Sequence, residues 1–437
     1  MLRLSRPDRT SAGRRKRVAG IRAGVIVAAA AVALAACGSS GGGSSSEPST
    51  GSGGGGSGSS AGATGTPIKI GTIGQYSGVA GDTSKATADT LTAWAKYVNA
   101  QGGIHGHPVQ VIVKDDQADA AKSVAMVKDL VENDHVVALV GNHESGLDAA
   151  WAKYIDSKNV PVVGGVATGA TYNTDPNFFP IGNTGVNGDH AYANAAKLFG
   201  KTSFSEVYCA EFPACKQADK LSSYYTQQLG LRHPTGLGIA ASATSYAAQC
   251  QQMKNDGTEA VFTASSLDVS ERFIQQCKSQ GYSPLYIDNP QNWKANATSN
   301  PVWEGAVLAS DAPLWFGDGP GTAEYLAAMK QYAPDAILNA SGTAGWISGL
   351  LFKAALDKAF DNGATGDVTS QTVYDGLYAL GPNFDLGGMV TPVTYTKGKP
   401  MQQGLCAWYA QVSGGKLTAP KGYKPICLTG VKPFPLS

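Results

Sequence analysis

Few side chains in this 437-residue chain have types and spacings that could do chemistry. His143, Glu144 and Ser145 bring an imidazole, a carboxyl and a hydroxyl together on one loop, the parts of a hydrolytic site. Three adjacent residues on one loop seldom converge, however, and Ser145 lacks the glycine two positions earlier that a nucleophile elbow needs. His105 and His107 make an H-x-H pair, but two histidines form an incomplete metal shell. Asp115 and Asp116 offer paired carboxylates, which the spacing assigns instead to capping the helix that follows. No P-loop occurs, and no G-x-G-x-x-G follows a strand. The expectation is a protein that is not an enzyme, with no cofactor and no metal.

Cysteine chemistry says more. Six of the seven cysteines lie in the body of the chain: Cys209, Cys215, Cys250, Cys277, Cys406 and Cys427. An even number in an exported chain suggests disulfides. Six thiols allow about 15 pairings, of which joining sequence neighbours is the simplest. The seventh, Cys37, closes a different pattern. Arg3, Arg6, Arg9, Arg14, Arg15, Lys16, Arg17 and Arg22 face one acid, Asp8, and run into an apolar stretch from Ala23 to Ala36. At 1.5 Å per residue that stretch reaches roughly 21 Å, short of the ~30 Å hydrocarbon core, so it reads as an export signal and not a stable span. It ends in Leu34-Ala-Ala-Cys37-Gly38, which resembles the bacterial lipobox, so residues 1–36 are expected to be cleaved and Cys37 to carry lipid.

Residues 38–66 are almost wholly Gly, Ser, Ala and Thr, too poor in apolar surface to offset the entropy of ordering them. With Cys37 they make an anchor and tether over 37–66, reaching roughly 30 Å from the lipid on average. Removing the leader takes eight of the 34 basic residues and one of the 33 acids, leaving 26 against 32, a formal charge of −6. Nucleic acid is therefore not an expected partner. After Cys37 the chain holds two arginines, Arg232 and Arg272, which leaves few sources for a guanidinium clamp on an anion.

The elements that must position these residues alternate short β-branched runs with amphipathic stretches, the pattern of parallel α/β units. Strands are expected at 68–73, 109–113, 136–140 and 160–163. The helix 86–101 places Leu91, Trp94, Ala95 and Val98 on one face and stops at Gly102-Gly103. A second series of the same kind follows residue 187. Some 370 residues exceed what one sheet with one core holds, so two lobes are expected. The stretch 343–360, with Trp346, Ile347, Leu350 and Leu351, reads as a helix returning to the first lobe.

Lys69-Ile-Gly-Thr-Ile-Gly-Gln-Tyr-Ser-Gly78, Asn99-Ala-Gln-Gly-Gly-Ile-His-Gly-His-Pro-Val109 and the Asp115-Asp116 pair resemble periplasmic binding proteins of type I, especially the branched-chain amino acid group. The likeness extends through 160–179, the Trp346 helix and 384–395; residues 396–437 match less clearly. It implies an α/β fold of two Rossmann-like lobes, parallel sheets flanked by helices, with a small ligand in the interlobe cleft and an ABC permease as membrane partner. Ser145 falls where the family holds a ligand carboxylate, with a capping box to Asp148 as its other role. Val166, Ala167 and Thr168 fall on the loop that takes the ammonium on a carbonyl and the carboxylate on a threonine. In the second lobe Phe212 or Pro213 stands near the family's aromatic position, and a gapless register puts Val269 on its acid, with Asp268 one residue away. Tyr76 is an apolar wall or a core residue.

The expected organisation is 67–185 and 312–364 in the first lobe, and 186–311 and 365–437 in the second. The function it suggests is a monomeric, membrane-anchored solute receptor on the extracytoplasmic face, binding an amino acid or a similar small polar molecule. The alternative is a surface sensor or adhesion lipoprotein of the same fold without transport.

Overall fold

The computed structural model describes residues 62–78, 81–144, 146–182, 185–211, 215–401 and 404–435. The leader, Cys37 and most of the tether lie outside the described residues. No helix among the described residues is long and apolar enough to cross a membrane.

The first lobe is built on parallel strands β1 (Ile68–Gly74), β2 (Val109–Asp115), β3 (Ala138–Val140), β4 (His143–Glu144), β5 (Val162–Val163), β6 (Val166–Ala167) and β7 (Phe178–Phe179). β1 sits centrally and is buried along nearly its whole length, as a parallel strand covered on both faces must be. It pairs with β2 on one side. On the other it meets β3 at Ile70↔Ala138 and β4 at Gly74↔His143, so β3 and β4 are two halves of one interrupted strand. β5 and β6 are interrupted in the same way. Glycines at positive φ make both breaks: Gly141 at 67°, and Gly164 and Gly165 at 65° and 90°. Space as well as torsion demands glycine there, because a Cβ on Gly164 would lie 2.2 Å from Ser348 Oγ and one on Gly165 2.4 Å from the Asn142 carbonyl. The Gly165 N–H donates to Ser348 Oγ at 2.7 Å, fixing the break to the helix Ala340–Asp361.

The second lobe repeats the plan with parallel β8 (Phe204–Cys209), β9 (Leu237–Ile239), β10 (Ala260–Ala264), β11 (Leu285–Asp288) and β12 (Val307–Ser310). Antiparallel β13 (Cys406–Ser413) then joins β12, with β14 (Lys416–Thr418) and β15 (Ile426–Cys427) both paired to β13. The segment with the weakest family likeness thus extends the sheet edge. The three disulfides join sequence neighbours: Cys209–Cys215, Cys250–Cys277 and Cys406–Cys427.

The helix Gly81–Ala100 buries Leu91, Trp94, Ala95 and Val98 as the periodicity predicts. It packs on Ala340–Asp361 so closely that a Cβ on Gly349 would lie 2.2 Å from the Trp94 ring. The helix Ser370–Ala379, expected in the completion of the second lobe, instead lies on the first. A Cβ on its Gly376 would fall 1.9 Å from the Ala355 carbonyl. Ser370 Oγ donates to the Val137 carbonyl, Tyr374 to Asn177 Oδ1, and Tyr395 to the Pro180 carbonyl. Residues up to 395 therefore belong with the first sheet, and 404–435 complete the second. Periodicity marks an amphipathic helix but carries no information on which sheet its apolar face covers, which is why 364 was too early a boundary.

Candidate functional site

Open parallel sheets present ligand-binding loops at the carboxyl ends of their strands. Those ends come from both sheets here: β4 and β6 from the first lobe, β10, β11 and β12 from the second. A cavity of about 200 Å³ lies between them, lined by Ala167 and Thr168 on one side and by Asp189, Tyr192, Gln291 and Asp311 on the other. Val166 and Ala167 border a smaller adjoining hollow together with Gln291, Asp311 and Ala344. The volume is below the ~300–1,000 Å³ typical of drug-sized ligands and suits a small molecule.

The walls of this cavity are acidic and aromatic. Tyr192 stacks on Phe262 with ring centroids 3.7 Å apart and planes 12° from parallel. Asp311 accepts from Gln291 Nε2 at 3.1 and 3.3 Å through its two oxygens. Asp189 is 6 % exposed, and its Oδ1 accepts a long 3.5 Å bond from Ser222 Oγ. Burial pushes both carboxyls above the usual carboxylate range. Asp288, at the end of β11, is likewise pushed up to about 7 by burial, against bonds from Thr263 and the Asn289 N–H that favour the charged form.

Of the residues singled out in the sequence, Val166, Ala167 and Thr168 lie at this cavity. The Thr168 hydroxyl donates to the Glu144 carbonyl, so it ties the two cleft loops together while facing the hollow. Asp268 is exposed in the first turn of the helix Leu267–Ser279. It lines a separate groove between the lobes with Asp82, Thr83, Ser266, Asn292 and Lys294, where Thr83 Oγ1 bonds Asn292 Oδ1 at 3.2 Å. Tyr76 is buried beneath the first-lobe loop, its hydroxyl paired with Thr72 Oγ1 at 2.9 Å and its N–H donating to Asp115 Oδ1. Desolvation drives its phenol well above the usual range. Ser145 and Phe212 lie outside the described residues.

The other chemical candidates resolve into structure. His143 and Glu144 point to opposite faces of β4, as successive strand residues do. His143 Nδ1 meets Thr87 Oγ1 at 3.0 Å, and burial lowers the imidazole to about 4. Glu144 accepts from Ser123 Oγ and, at 2.9 Å, from Trp151 Nε1, with its carboxyl raised by burial. His105 stacks on Phe360 and pairs with Asp357. The cap of the helix Ala120–Glu132 is Asp119, not the Asp115-Asp116 pair. Asp115 and Asp116 instead accept the N–H groups of Gln117 and Ala118 in the turn before it. The helix Asp148–Lys158 starts from Leu147 with no side-chain cap, and the Asp148 carboxylate is buried against Gly169.

Two sheets facing each other by their strand ends, with a side-chain-lined cavity between them, define a bilobed α/β fold with a cleft. The chain belongs to the periplasmic binding protein family, whose model matches residues 67–416. No curated protein matches it significantly. Among solved structures it is similar to a fatty acid ABC transporter substrate-binding protein from Thermomonospora curvata, at 19% identity and TM-score 0.65 over 84% of this chain and 93% of that one. It is also similar to a branched chain amino acid ABC transporter from Thermus thermophilus with bound valine, at 15% identity and TM-score 0.69 over 83% and 97%. A third is an ABC transporter solute binding protein from R. palustris in complex with benzoate, at 14% identity and TM-score 0.66 over 85% and 100%. Likeness at these identities is likeness of fold, the type I arrangement of two α/β lobes.

Proposed function

We propose that the protein is an extracytoplasmic solute-binding lipoprotein of an ABC importer, which takes up an amino acid or a similar small polar organic molecule by closing its two lobes. The observation that carries this reading is the cavity between the strand ends, lined by Thr168 from one lobe and by Asp189, Tyr192, Gln291 and Asp311 from the other, in a chain of the periplasmic binding protein family. A ligand touching both walls favours the closed arrangement by its differential affinity for it, and closure is the state a permease reads. The acid-poor, arginine-rich leader, the Cys37 motif and the Gly/Ser tether support cleavage before Cys37, lipid attachment there, and a receptor kept within reach of its membrane partner.

Thermal shift of the purified protein against amino acids, amides, amines, ureas and short organic acids tests the receptor reading: at least one compound raises the melting temperature in a saturable way. Thr168→Ala together with Ser145→Ala weakens that compound's binding, and undiminished affinity would place the ligand elsewhere. Cys37→Ser releases the protein from the membrane fraction while leaving affinity unchanged; retention there would remove the anchor from the account.

A further inference from the structure

Charge at the cavity is one-sided. Among the described residues lining the 200 Å³ cavity or its adjoining hollow there is no Lys, Arg or His, whereas Asp189 and Asp311 both line the cavity. Tyr192, which forms its aromatic wall, lies in the field of four carboxyls: Asp189, Asp311, Asp288 and Glu206. They come from different elements, Asp189 on the helix Gly185–Leu198, Glu206 on β8, and Asp288 and Asp311 at the ends of β11 and β12. The described protein donors to the two lining acids are weak or neutral: Ser222 at 3.5 Å for Asp189 and the Gln291 amide for Asp311. Buried carboxyls held this way are costly unless something cationic joins them or a proton stays on. An anion beside these carboxyls is repelled wherever they are ionised, and a ring face stacked beside carboxylates attracts cations.

The geometry points to a ligand that carries a cationic nitrogen, seated between Asp189 and Asp311 against the Tyr192–Phe262 pair, with its uncharged or carboxylate end toward Thr168. This rests on the receptor reading above and moves the ammonium-pairing acid from Asp268, which lines a different groove, to the ends of the helix and strand that face Thr168. It also separates this cleft from one suited to a simple carboxylate. Because burial raises the carboxyls of Asp189 and Asp311, a cation that pairs with the ionised forms competes with protons for them, and its affinity rises with pH. The other ionisable groups around Asp189 are Glu206, Asp219, Tyr192, Tyr225 and His190, with Lys216 near Asp219.

Calorimetric titration of the full-length protein in detergent, with probes that isolate charge, decides the matter: L-valinamide and benzylamine as cations, isovalerate and benzoate as their anionic partners, and L-valine. The expected result is that the cations bind roughly tenfold or more tighter than the anions. Their affinity rises from about pH 5 to about pH 7, below the range in which the α-amino group of valinamide loses its charge, and Asp311→Asn and Asp189→Asn each weaken it by roughly tenfold with the melting profile retained. Asp311→Asn keeps an acceptor for Gln291, so it tests the charge even where Asp189→Asn disturbs packing. Anions that bind while cations do not, an affinity that falls with rising pH, or cation binding indifferent to both variants overturns the inference and leaves the receptor intact. Silence of these five probes and of the wider thermal-shift panel sinks both.

Discussion

Asp288 gives a quantitative handle on the cleft wall. It is 4 % exposed, its Oδ1 accepts the Asn289 N–H at 2.8 Å, and its Oδ2 accepts from Thr263 Oγ1. Burial raises its carboxyl from 3.8 to about 7. Between those two values the folded protein keeps a proton that the unfolded chain has released. The stabilising contribution is therefore fully present below about pH 4, is lost as pH rises toward about 7, and stays lost above it. At ~1.4 kcal/mol per tenfold the loss is roughly 4 kcal/mol. Asp288→Asn removes the titration and little else: the amide oxygen still accepts from Asn289, and Thr263, whose hydroxyl also lies 3.4 Å from the Ile287 carbonyl, can turn to accept from the amide.

Urea unfolding followed by tryptophan fluorescence, disulfides intact, gives the stability of Asp288→Asn relative to wild type at each pH. The other raised carboxyls, Glu144, Asp148, Asp175, Asp189, Glu206 and Asp311, titrate in both proteins and cancel in the difference. The variant is expected to gain about 2 to 4 kcal/mol on wild type between about pH 4 and about pH 7.5, with no further gain above. A difference that stays flat across that range refutes the claim that Asp288 is held neutral by burial.

Replacing both Cys250 and Cys277 by Ser opens a loop with 27 residues of separation and is expected to cost about 3 kcal/mol, against ~2 kcal/mol for the pair Cys209 and Cys215, six apart. Equal losses in melting experiments would remove loop closure as the explanation. Asn339→Ala deletes the cap of the helix Ala340–Asp361, where Oδ1 accepts from Gly342 N and Nδ2 donates to the Gln291 carbonyl of the opposite lobe. It is expected to lower stability by ~2 kcal/mol and to increase the radius of gyration of the ligand-free protein in X-ray scattering. An unchanged scattering curve would mean that this contact does not hold the lobes together.

How legible the site was depends on which interaction placed each residue. Leu91, Trp94, Ala95 and Val98 were readable because helical period and burial are the same signal. Val166 and Thr168 came from the family resemblance of the loop Gly164–Gly169, and the structure sets Thr168 on the cavity and Val166 on its adjoining hollow. Asp189 and Tyr192 were missed: spaced i, i+3 near the start of a helix, they read as an ordinary polar and apolar face, and only the second sheet's position turns both toward the cleft. Asp288 and Asp311 had a signal that could have been used. Each follows an apolar run, Leu285-Tyr-Ile and Val307-Leu-Ala-Ser, and an acid at the carboxyl end of a buried parallel strand belongs at the ligand edge. Asp268 met that reasoning in form but starts a helix one turn away, and a one-turn difference is invisible without coordinates.

The same geometry explains how one fold can stand behind neighbours described with valine, fatty acid or benzoate at identities of 19% or below. In this chain the parts that fix lobe shape are backbone and packing: parallel ladders, glycines where a Cβ would strike Ser348, Asn142 or Trp94, and helices pressed on both sheets. The parts that line the cavity are side chains at strand ends and helix starts, Thr168, Asp189, Tyr192, Gln291 and Asp311, which make none of those close approaches. Shape is thus carried by close approaches that leave no room for a Cβ, and the chemistry of the cavity by side chains outside them. That division makes the charge at Asp189 and Asp311, and not the resemblance of the fold, the feature from which this receptor's ligand should be sought.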